Sequence, residues 1–170
     1  MLLHMCCGPC AVYPVKILQD ENINFTGFFY NPNIHPIEEH ELRMKTLKEL
    51  AQIKGFDVIY DEGFEQNKWE EFLGNKQERC CMCYQNRLLK TAILAKEKGF
   101  DAFSTTLLIS PYQNQELIKN LGEEIGKKIG VQFYYRDFRP VFRLGQSMAK
   151  EMGLYRQKYC GCIISKYGDG

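Results

Sequence analysis

LLHMCCGPC, residues Leu2–Cys10, joins an apolar run to a thiol-rich turn and the start of a helix. Leu2–Cys6 has the apolar composition of a short strand, and Cys10–Asp20 carries apolar residues at helical spacing. A strand that leads directly into a helix is the opening half of a βαβ unit. This stretch therefore predicts an α/β fold with cysteines at the turn between its first strand and its first helix.

Short strands alternate with longer helices along the rest of the chain. Further strands are predicted at Phe25–Tyr30, Phe56–Tyr60, Ala102–Thr106 and Gln132–Arg136. Helices are predicted at Ile37–Lys54, Met82–Gly99 and Gln113–Gly130. Because helical crossovers between consecutive strands are right-handed and make those strands parallel, we expect one three-layer α/β domain over residues 1–170. Its five-stranded parallel sheet is expected to have the order 3-2-1-4-5, with helices on both faces.

The predicted sheet has a crevice between strands 1 and 4, where its strand order reverses, and such crevices bind ligands beyond the carboxyl ends of the strands. Cys6–Cys10 follows strand 1, and Ser104–Pro111 (STTLLISP) runs from the end of strand 4. Asn31–Pro36 (NPNIHP) follows strand 2 at the same edge, as either a lid or a plain connection. We therefore expect the functional site at this edge of the sheet.

Eight cysteines fall into three groups that are far apart along the chain. The groups are Cys6-Cys7-Gly8-Pro9-Cys10, Cys80-Cys81-Met82-Cys83 and Cys160-Gly161-Cys162. The first two contain a C-x2-C pair, whose spacing lets two sulfurs reach one metal centre. Cys81 is turned roughly 100° from Cys80 on a helix and is expected to be a bystander. The pattern predicts a metal site with soft thiolate ligands.

Disulfides or inert buried thiols are the other interpretation of these cysteines. The N-terminus shows no basic segment followed by an apolar stretch and a cleavage site, so we expect a cytoplasmic protein. Structural disulfides are rare in that reducing compartment. Cys7 and Cys10 start a helix, whose partial positive charge is expected to lower the pKa of both thiols. Cys160 and Cys162 are compatible with metal ligands, a redox pair or a structural turn.

The composition indicates a chain without a strong charge bias. Its 22 basic and 21 acidic residues leave a formal charge of +1, so any attraction of nucleic acid must be local. No apolar run approaches the roughly 20 residues that cross a bilayer. The turn after strand 1 lacks the phosphate-binding patterns G-x-G-x-x-G and G-x4-G-K-[ST]. Thiols at this turn therefore favour an inorganic cofactor over a nucleotide.

Five separated strings, HMCCGPC, ERCCMCYQNRL, STTLLISPYQN, RDFRP and LYRQKYCGC, resemble those of the epoxyqueuosine reductase family of the QueH type. They occur in the family's order and span nearly the whole chain. The resemblance implies the HUP-like adenine-nucleotide α-hydrolase fold class. It also implies the final step of queuosine synthesis, a two-electron removal of the epoxide oxygen of epoxyqueuosine at the tRNA wobble position.

The same resemblance implies a [4Fe-4S] cluster with an adjacent coordinated iron, and no cobalamin. Carried onto this chain, it implies that the cluster is bound by Cys7, Cys10, Cys80 and Cys83 and that the second iron is surrounded by Cys6, Cys160 and Cys162. The roles of Cys6 and Cys7 stay open, because neighbouring residues in a loop can exchange them without changing the pattern.

Two residues are candidate proton donors for the departure of water. Asp137 follows strand 5 and Tyr112 follows strand 4, although a turn aspartate and a packing tyrosine are the alternatives. The expected partners are a tRNA anticodon loop and an electron donor such as a ferredoxin or flavodoxin. Candidate phosphate contacts are Arg139, Arg143, Arg156 and Lys158.

Two other functions would use the same cysteines. HUP-type tRNA sulfur-transfer or desulfurising enzymes also use three-cysteine [4Fe-4S] sites, but those that activate by ATP need the phosphate loop that is absent here. A non-enzymatic zinc-binding or cluster-carrier module would use the thiols structurally.

Overall fold

The computed structural model describes residues 1–168 as a parallel sheet enclosed by helices. The strands are β1 (Leu2–His4), β2 (Thr26–Tyr30), β3 (Val58–Asp61), β4 (Ala102–Thr105) and β5 (Gln132–Phe133). Every pairing in this sheet is parallel, and the strand order is β3-β2-β1-β4-β5. The predicted α/β fold class and the order 3-2-1-4-5 are therefore confirmed.

Two strands end at least two residues earlier than the sequence predicts. β1 ends at His4 rather than Cys6, so Cys6 and Cys7 lie in the turn itself. β5 ends at Phe133 rather than Arg136, because only its two residues pair with β4. The early end of β1 matters for the site, since it frees the backbone at Cys6 to turn into the crevice.

Seven helices pack around the sheet in the described residues. They are α1 (Gly8–Asp20), α2 (Ile37–Lys54), α3 (Gln66–Glu70), α4 (Lys76–Glu97), α5 (Gln115–Ile129), α6 (Phe142–Glu151) and α7 (Ile163–Tyr167). Short 3-10 turns follow β4 at Thr106–Ile109 and precede α6 at Arg139–Val141. Helices α3, α6 and α7 were not predicted from the sequence.

Helix α4 begins at Lys76, six residues before the predicted start at Met82. A capping box holds this end: the Asn75 side chain accepts a hydrogen bond from the Glu78 backbone at 3.0 Å, and the Glu78 carboxylate accepts one from the Asn75 backbone at 2.9 Å. The earlier start places the cysteines of this helix in its second turn rather than at its first residues.

Apolar side chains cover both faces of the sheet. Leu2 and Phe28 join a cluster with α4 and α5, whereas their neighbours Leu3 and Phe29 join a second cluster with α1, α2 and α6. Successive residues of a strand point to opposite faces, so this alternation produces the predicted three-layer arrangement. Among residues 1–168, no helix combines the length and the apolar composition needed to span a membrane.

Candidate metal centre

A cleft of about 560 Å³ opens beyond the carboxyl ends of β1 and β4. Cys6 and Cys10 line it from the β1 side, and Thr106 and Ser110 line it from the β4 side. The two sides touch directly, because the Cys6 backbone donates a hydrogen bond to Thr106 Oγ1 at 3.4 Å. The structure thus has a cleft at the crevice predicted from the strand order.

Three buried thiols lie together at the start of α1. The Sγ atoms of Cys6, Cys7 and Cys10 are all within 4.8 Å of one another. Cys6 Sγ and Cys7 Sγ are 3.8 Å apart, and two sulfurs at about 2.3 Å from one tetrahedral metal are separated by roughly the same distance. This triad therefore has donor atoms and spacing that fit a metal.

Gly8 allows the turn between these thiols to lie against α2. A Cβ atom at Gly8 would be 2.8 Å from Thr46 Cγ2 and 3.0 Å from the Thr46 carbonyl oxygen. Contacts this short cannot form without movement of one helix, so the absence of a side chain at Gly8 positions the triad against its neighbour.

Replacing Gly8 by alanine is expected to lower the free energy of unfolding by about 1–3 kcal/mol, because the added methyl group overpacks the α1–α2 contact. Chemical denaturation of the metal-free protein measures this change. Lys16→Ala, on a partly exposed position of the same helix, is the control and should change the stability by less than about 1 kcal/mol. Equal stabilities of Gly8→Ala and wild type would contradict the role given to this glycine.

Hydrogen bonds within the triad decide which thiol ionises first. Hydrogen bonds from Cys10 and Cys7 hold the pKa of Cys6 well below its ordinary value. Burial raises the pKa of Cys7, and the hydrogen bond to Cys6 raises the pKa of Cys10. The expectation that the helix start lowers the pKa of Cys7 and Cys10 is thus wrong for the metal-free protein. Metal binding at this triad would release protons, because thiols bind metals as thiolates.

The second cysteine group lies on α4 beside a buried cation. Arg87 Nη2 donates a hydrogen bond to Cys83 Sγ at 3.0 Å, and Arg87 Nε donates one to the Cys83 carbonyl oxygen at 3.2 Å. Burial raises the pKa of Cys83 to about 12, and the Arg87 charge opposes this rise. Arg87 is only 3% exposed, and no carboxylate lies within ion-pair distance of it in residues 1–168. Its charge therefore faces sulfur rather than carboxylate oxygen.

The third cysteine group lies between α6 and α7 and is held from α2. Arg43, 1% exposed, donates hydrogen bonds from Nη1 to the Cys160 carbonyl oxygen at 2.9 Å and from Nη2 to the Tyr159 carbonyl oxygen at 3.0 Å. Gln113 Nε2 lies 3.5 Å from Cys160 Sγ as a donor. Cys160 is exposed, whereas Cys162 is buried. These contacts hold an irregular segment beside the ends of the strands.

The structure brings all three cysteine groups to one region. Five predicted ligands line the cleft, and they are Cys6, Cys10, Cys80, Cys160 and Cys162. Cys7 belongs to the triad, and Cys83 packs with Cys162 and Trp69 in a small buried cluster. Cys81 packs against the apolar core beside α4 and α5. All eight cysteines are free thiols, and their division between a cluster and a second iron stays a prediction.

The two predicted proton donors have different surroundings. Tyr112 lines the cleft and is 84% exposed, with its ring centroid 6.0 Å from that of Phe142. Asp137 is not among the cleft-lining residues; it accepts hydrogen bonds from Arg139 Nε at 2.8 Å and from the Arg139 backbone at 3.0 Å. The Arg139 guanidinium lowers the pKa of Asp137, so this carboxyl is held in its ionised form.

One of the four predicted phosphate contacts lines the cleft. Lys158 lies on its wall, while Arg139 is paired with Asp137. Arg143 and Arg156 are exposed outside the cleft lining. The charged rim of the cleft is therefore formed mainly by residues that the sequence analysis did not name.

Several site residues were missed from the sequence. Arg87 supports the second cysteine group, Arg43 supports the third, and Gln157 Nε2 approaches Cys10 Sγ at 3.3 Å. Arg43 shares a helical face with Leu47 and Leu50, which are fully buried. A cation within an apolar helical face is a signal of a buried charge with a specific partner. Gln157 follows no periodic pattern and carries no such signal.

Asn31–Pro36 is a packed connection rather than a lid. Asn31, Ile34 and His35 are fully buried. The His35 backbone donates a hydrogen bond to the Gly161 carbonyl oxygen at 2.8 Å, and the Ile163 backbone donates one to His35 Nδ1 at 3.2 Å. This segment therefore holds the third cysteine group in place through hydrogen bonds.

The fold and the site together define an α/β protein with a cysteine-rich site that can hold a metal at the carboxyl end of its central strand. The profile of the family described as "Epoxyqueuosine reductase QueH" matches residues 1–168. The protein named Epoxyqueuosine reductase QueH from Dehalococcoides mccartyi is 35% identical over 98% of this chain and 92% of its own length. Its namesake from Thermotoga maritima is 37% identical over 97% of this chain and 89% of its own length. The chain therefore belongs to the epoxyqueuosine reductase QueH family.

Proposed function

We propose that this protein is an oxidoreductase that removes the epoxide oxygen of epoxyqueuosine at the wobble position of tRNA, giving queuosine. The step consumes two electrons and two protons, breaks both carbon–oxygen bonds of the epoxide, and forms the alkene and water. Family membership supports the activity, and the observation that carries the site is the buried Cys6, Cys7 and Cys10 triad opening into the cleft.

The proposed cofactors are a [4Fe-4S] cluster held by Cys7, Cys10, Cys80 and Cys83 and an adjacent iron held by Cys6, Cys160 and Cys162. When bound, such centres supply electrons one at a time and polarise an oxygen atom as a Lewis acid, which is the chemistry that this reaction requires without cobalamin. The thiol-rich composition of the cleft supports this assignment, because thiolates are the ligands that iron–sulfur clusters use.

The protein's own contribution is to bury five of these seven sulfurs, all except those of Cys80 and Cys160. Trp69, 0% exposed, packs against Cys83 and Cys162 and covers them from the side of α3. Arg87 supplies a positive charge next to Cys83 Sγ. A buried cation beside thiolates stabilises their anionic form, so both residues favour retention of a metal centre.

Tyr112 is the proton donor that we retain in this proposal, because it lines the cleft. Replacing it by phenylalanine is expected to lower kcat by about 100-fold while leaving KM unchanged, since the ring stays and the hydroxyl is lost. Steady-state kinetics with epoxyqueuosine-containing tRNA measure kcat and KM separately. Asp137→Asn is the comparison and should retain activity, because Asp137 is ionised and paired with Arg139. A larger loss in Asp137→Asn than in Tyr112→Phe would reverse the assignment.

The activity is tested with anaerobically reconstituted protein, a low-potential reductant and tRNA that carries epoxyqueuosine. Mass analysis of the digested tRNA should show loss of one oxygen atom per modified nucleoside, without added cobalamin. Unchanged epoxyqueuosine from protein with a full complement of iron and sulfide would reject the activity. A colourless protein that binds only zinc would instead favour a non-enzymatic metal-binding module.

We also propose where the protein works and what supplies its electrons. Residues 1–170 act as one domain in the cytoplasm, where thiols stay reduced. A small electron carrier such as a ferredoxin or flavodoxin supplies the two electrons in successive single-electron steps. Replacing the chemical reductant of the assay by such carriers tests this part independently of the reaction itself.

A further inference from the structure

We propose that the mouth of the cleft binds one extruded nucleotide of a single-stranded RNA loop, with the Tyr112 ring stacking on a base and Lys76, Arg79 and Lys158 contacting phosphates. The identity of the RNA rests on the proposed function. The location and the contacts rest on the structure, which groups an exposed aromatic ring and unpaired cations around one opening.

The charge of the cleft differs from that of the whole chain. The cleft-lining cations are Arg43, Lys76, Arg79, Arg87 and Lys158, and none of the lining residues in the described part of the chain is acidic. The chain as a whole has 22 basic and 21 acidic residues. Five cationic and no acidic lining residues, in a chain of formal charge +1, are the electrostatic pattern expected for a polyanionic ligand.

Two carboxylates on the same helices have hydrogen-bond partners away from the three rim cations. Glu39 accepts hydrogen bonds from Arg43 Nε and from the Tyr155 hydroxyl, both at 2.7 Å. Glu78 accepts the capping hydrogen bond of the Asn75 backbone. Neither carboxylate forms an ion pair with Lys76, Arg79 or Lys158.

Three of the five cations are free to contact a ligand. Arg43 and Arg87 are buried and donate to Cys160 and Cys83. Lys76 and Lys158 are exposed and Arg79 is half-buried, and no ion pair within residues 1–168 involves any of the three. Arg79 Nε is also buried without a hydrogen-bond partner, so one donor of this guanidinium is unsatisfied in the free protein.

Tyr112 has the placement of a stacking residue. Its side chain is 84% exposed although it is large and aromatic, and the Phe142 ring lies against it at 86° with the centroids 6.0 Å apart. Phe142 braces the tyrosine and leaves most of its surface open. Exposed aromatic rings beside cations are the combination that single-stranded nucleic acids use, because every base has a face that can stack.

The size of the cleft selects one nucleotide. A cavity of about 560 Å³ is in the range that holds one small ligand, and a duplex cannot enter it. Enzymes that modify a base take the nucleotide out of its stack and hold it in a pocket of this kind. The rim then contacts the backbone on either side of the extruded nucleotide.

Binding of RNA without the modification tests the inference separately from the reaction. The probe is a fluorescent anticodon stem-loop, titrated with the metal-loaded full chain at several salt concentrations. Tyr112→Ala is expected to weaken binding by roughly 5- to 150-fold, the usual effect of losing one base-stacking ring, and Tyr112→Phe should bind within about twofold of wild type because its ring remains. Each of Lys76→Gln, Arg79→Gln and Lys158→Gln should reduce the slope of log Kd against log salt by about 0.7.

Matched controls come from the opposite end of the sheet. Lys127 and Lys128 are exposed in the last turn of α5, and the corresponding glutamine variants should bind as wild type. A fully paired RNA duplex of equal length should bind at least about tenfold more weakly than the stem-loop. Wild-type affinity in both Tyr112→Ala and a variant that combines Lys76→Gln, Arg79→Gln and Lys158→Gln, or equal affinity for the duplex, would overturn the inference. If the wild type deoxygenates tRNA but the variants or the duplex give these contrary binding results, the proposed function stands without the binding surface. If RNA binds as expected but no deoxygenation occurs, only the binding surface stands.

Discussion

Replacement of Cys10 by serine is expected to abolish retention of the metal centre. Cys10 Sγ lies within 4.8 Å of both other sulfurs of the triad and also lines the cleft, so it is placed to bind whichever metal the triad holds. Loss of a direct thiolate ligand should exceed the roughly 10- to 100-fold cost of losing an outer-shell partner of a metal. Iron and sulfide content, visible absorption and reductase activity should fall together in the variant.

The matched control is Cys81→Ser, which removes a neighbouring thiol of the same helix that carries Cys80 and Cys83. Cys81 packs against the apolar core beside α4 and α5 rather than in the cleft lining. This variant should retain iron, sulfide and activity. If Cys81→Ser lost its metal and Cys10→Ser kept it, the site as described would be wrong.

Replacement of Arg87 by methionine is expected to have the second largest effect. The substitution removes a 3% exposed cation that donates to Cys83 Sγ at 3.0 Å, and breaking a buried charge pair costs about 3–5 kcal/mol. Iron retention against a chelator should therefore weaken by more than about 100-fold. Any centre that remains should have a more negative reduction potential, because a positive charge that favours the reduced form has been removed.

The same substitution should act differently on the metal-free protein. With the Cys83 thiol neutral, the Arg87 guanidinium is a buried charge without a carboxylate partner, and replacing a buried charge by an apolar side chain of similar length is expected to be neutral or stabilising. Chemical denaturation of metal-free Arg87→Met should thus show no loss of stability, while Arg87→Lys should partly recover iron retention through its charge. Arg143→Met, at an exposed position of α6, is the surface control. A large loss of stability in metal-free Arg87→Met would assign this residue a packing role instead.

The strand order was predictable because βαβ units have one handedness. Few sheet topologies are compatible with alternating strands and helices, so the pattern predicted the parallel sheet and the crevice between β1 and β4. The start of α4 was predicted six residues too late, although Asn75 and Glu78 have the spacing of a capping box in the sequence. Helix α6 was missed although its apolar residues have helical spacing. It packs on α1, where a Cβ atom added at Gly145 would lie 3.3 Å from Tyr13 Cβ.

The identities and spacings of the cysteines were sufficient to predict a thiol-rich metal site at the carboxyl edge of a parallel sheet, because ligand chemistry and local periodicity are properties of short segments. Chain packing alone revealed that Trp69 covers Cys83 and Cys162 and that Arg87 is buried. It also revealed that Arg43 holds the backbone at Cys160, 117 residues away in the chain. Contacts of this kind depend on how helices and loops that are remote in sequence pack against one another. A local pattern of residues does not tell which remote segments will be neighbours in the fold.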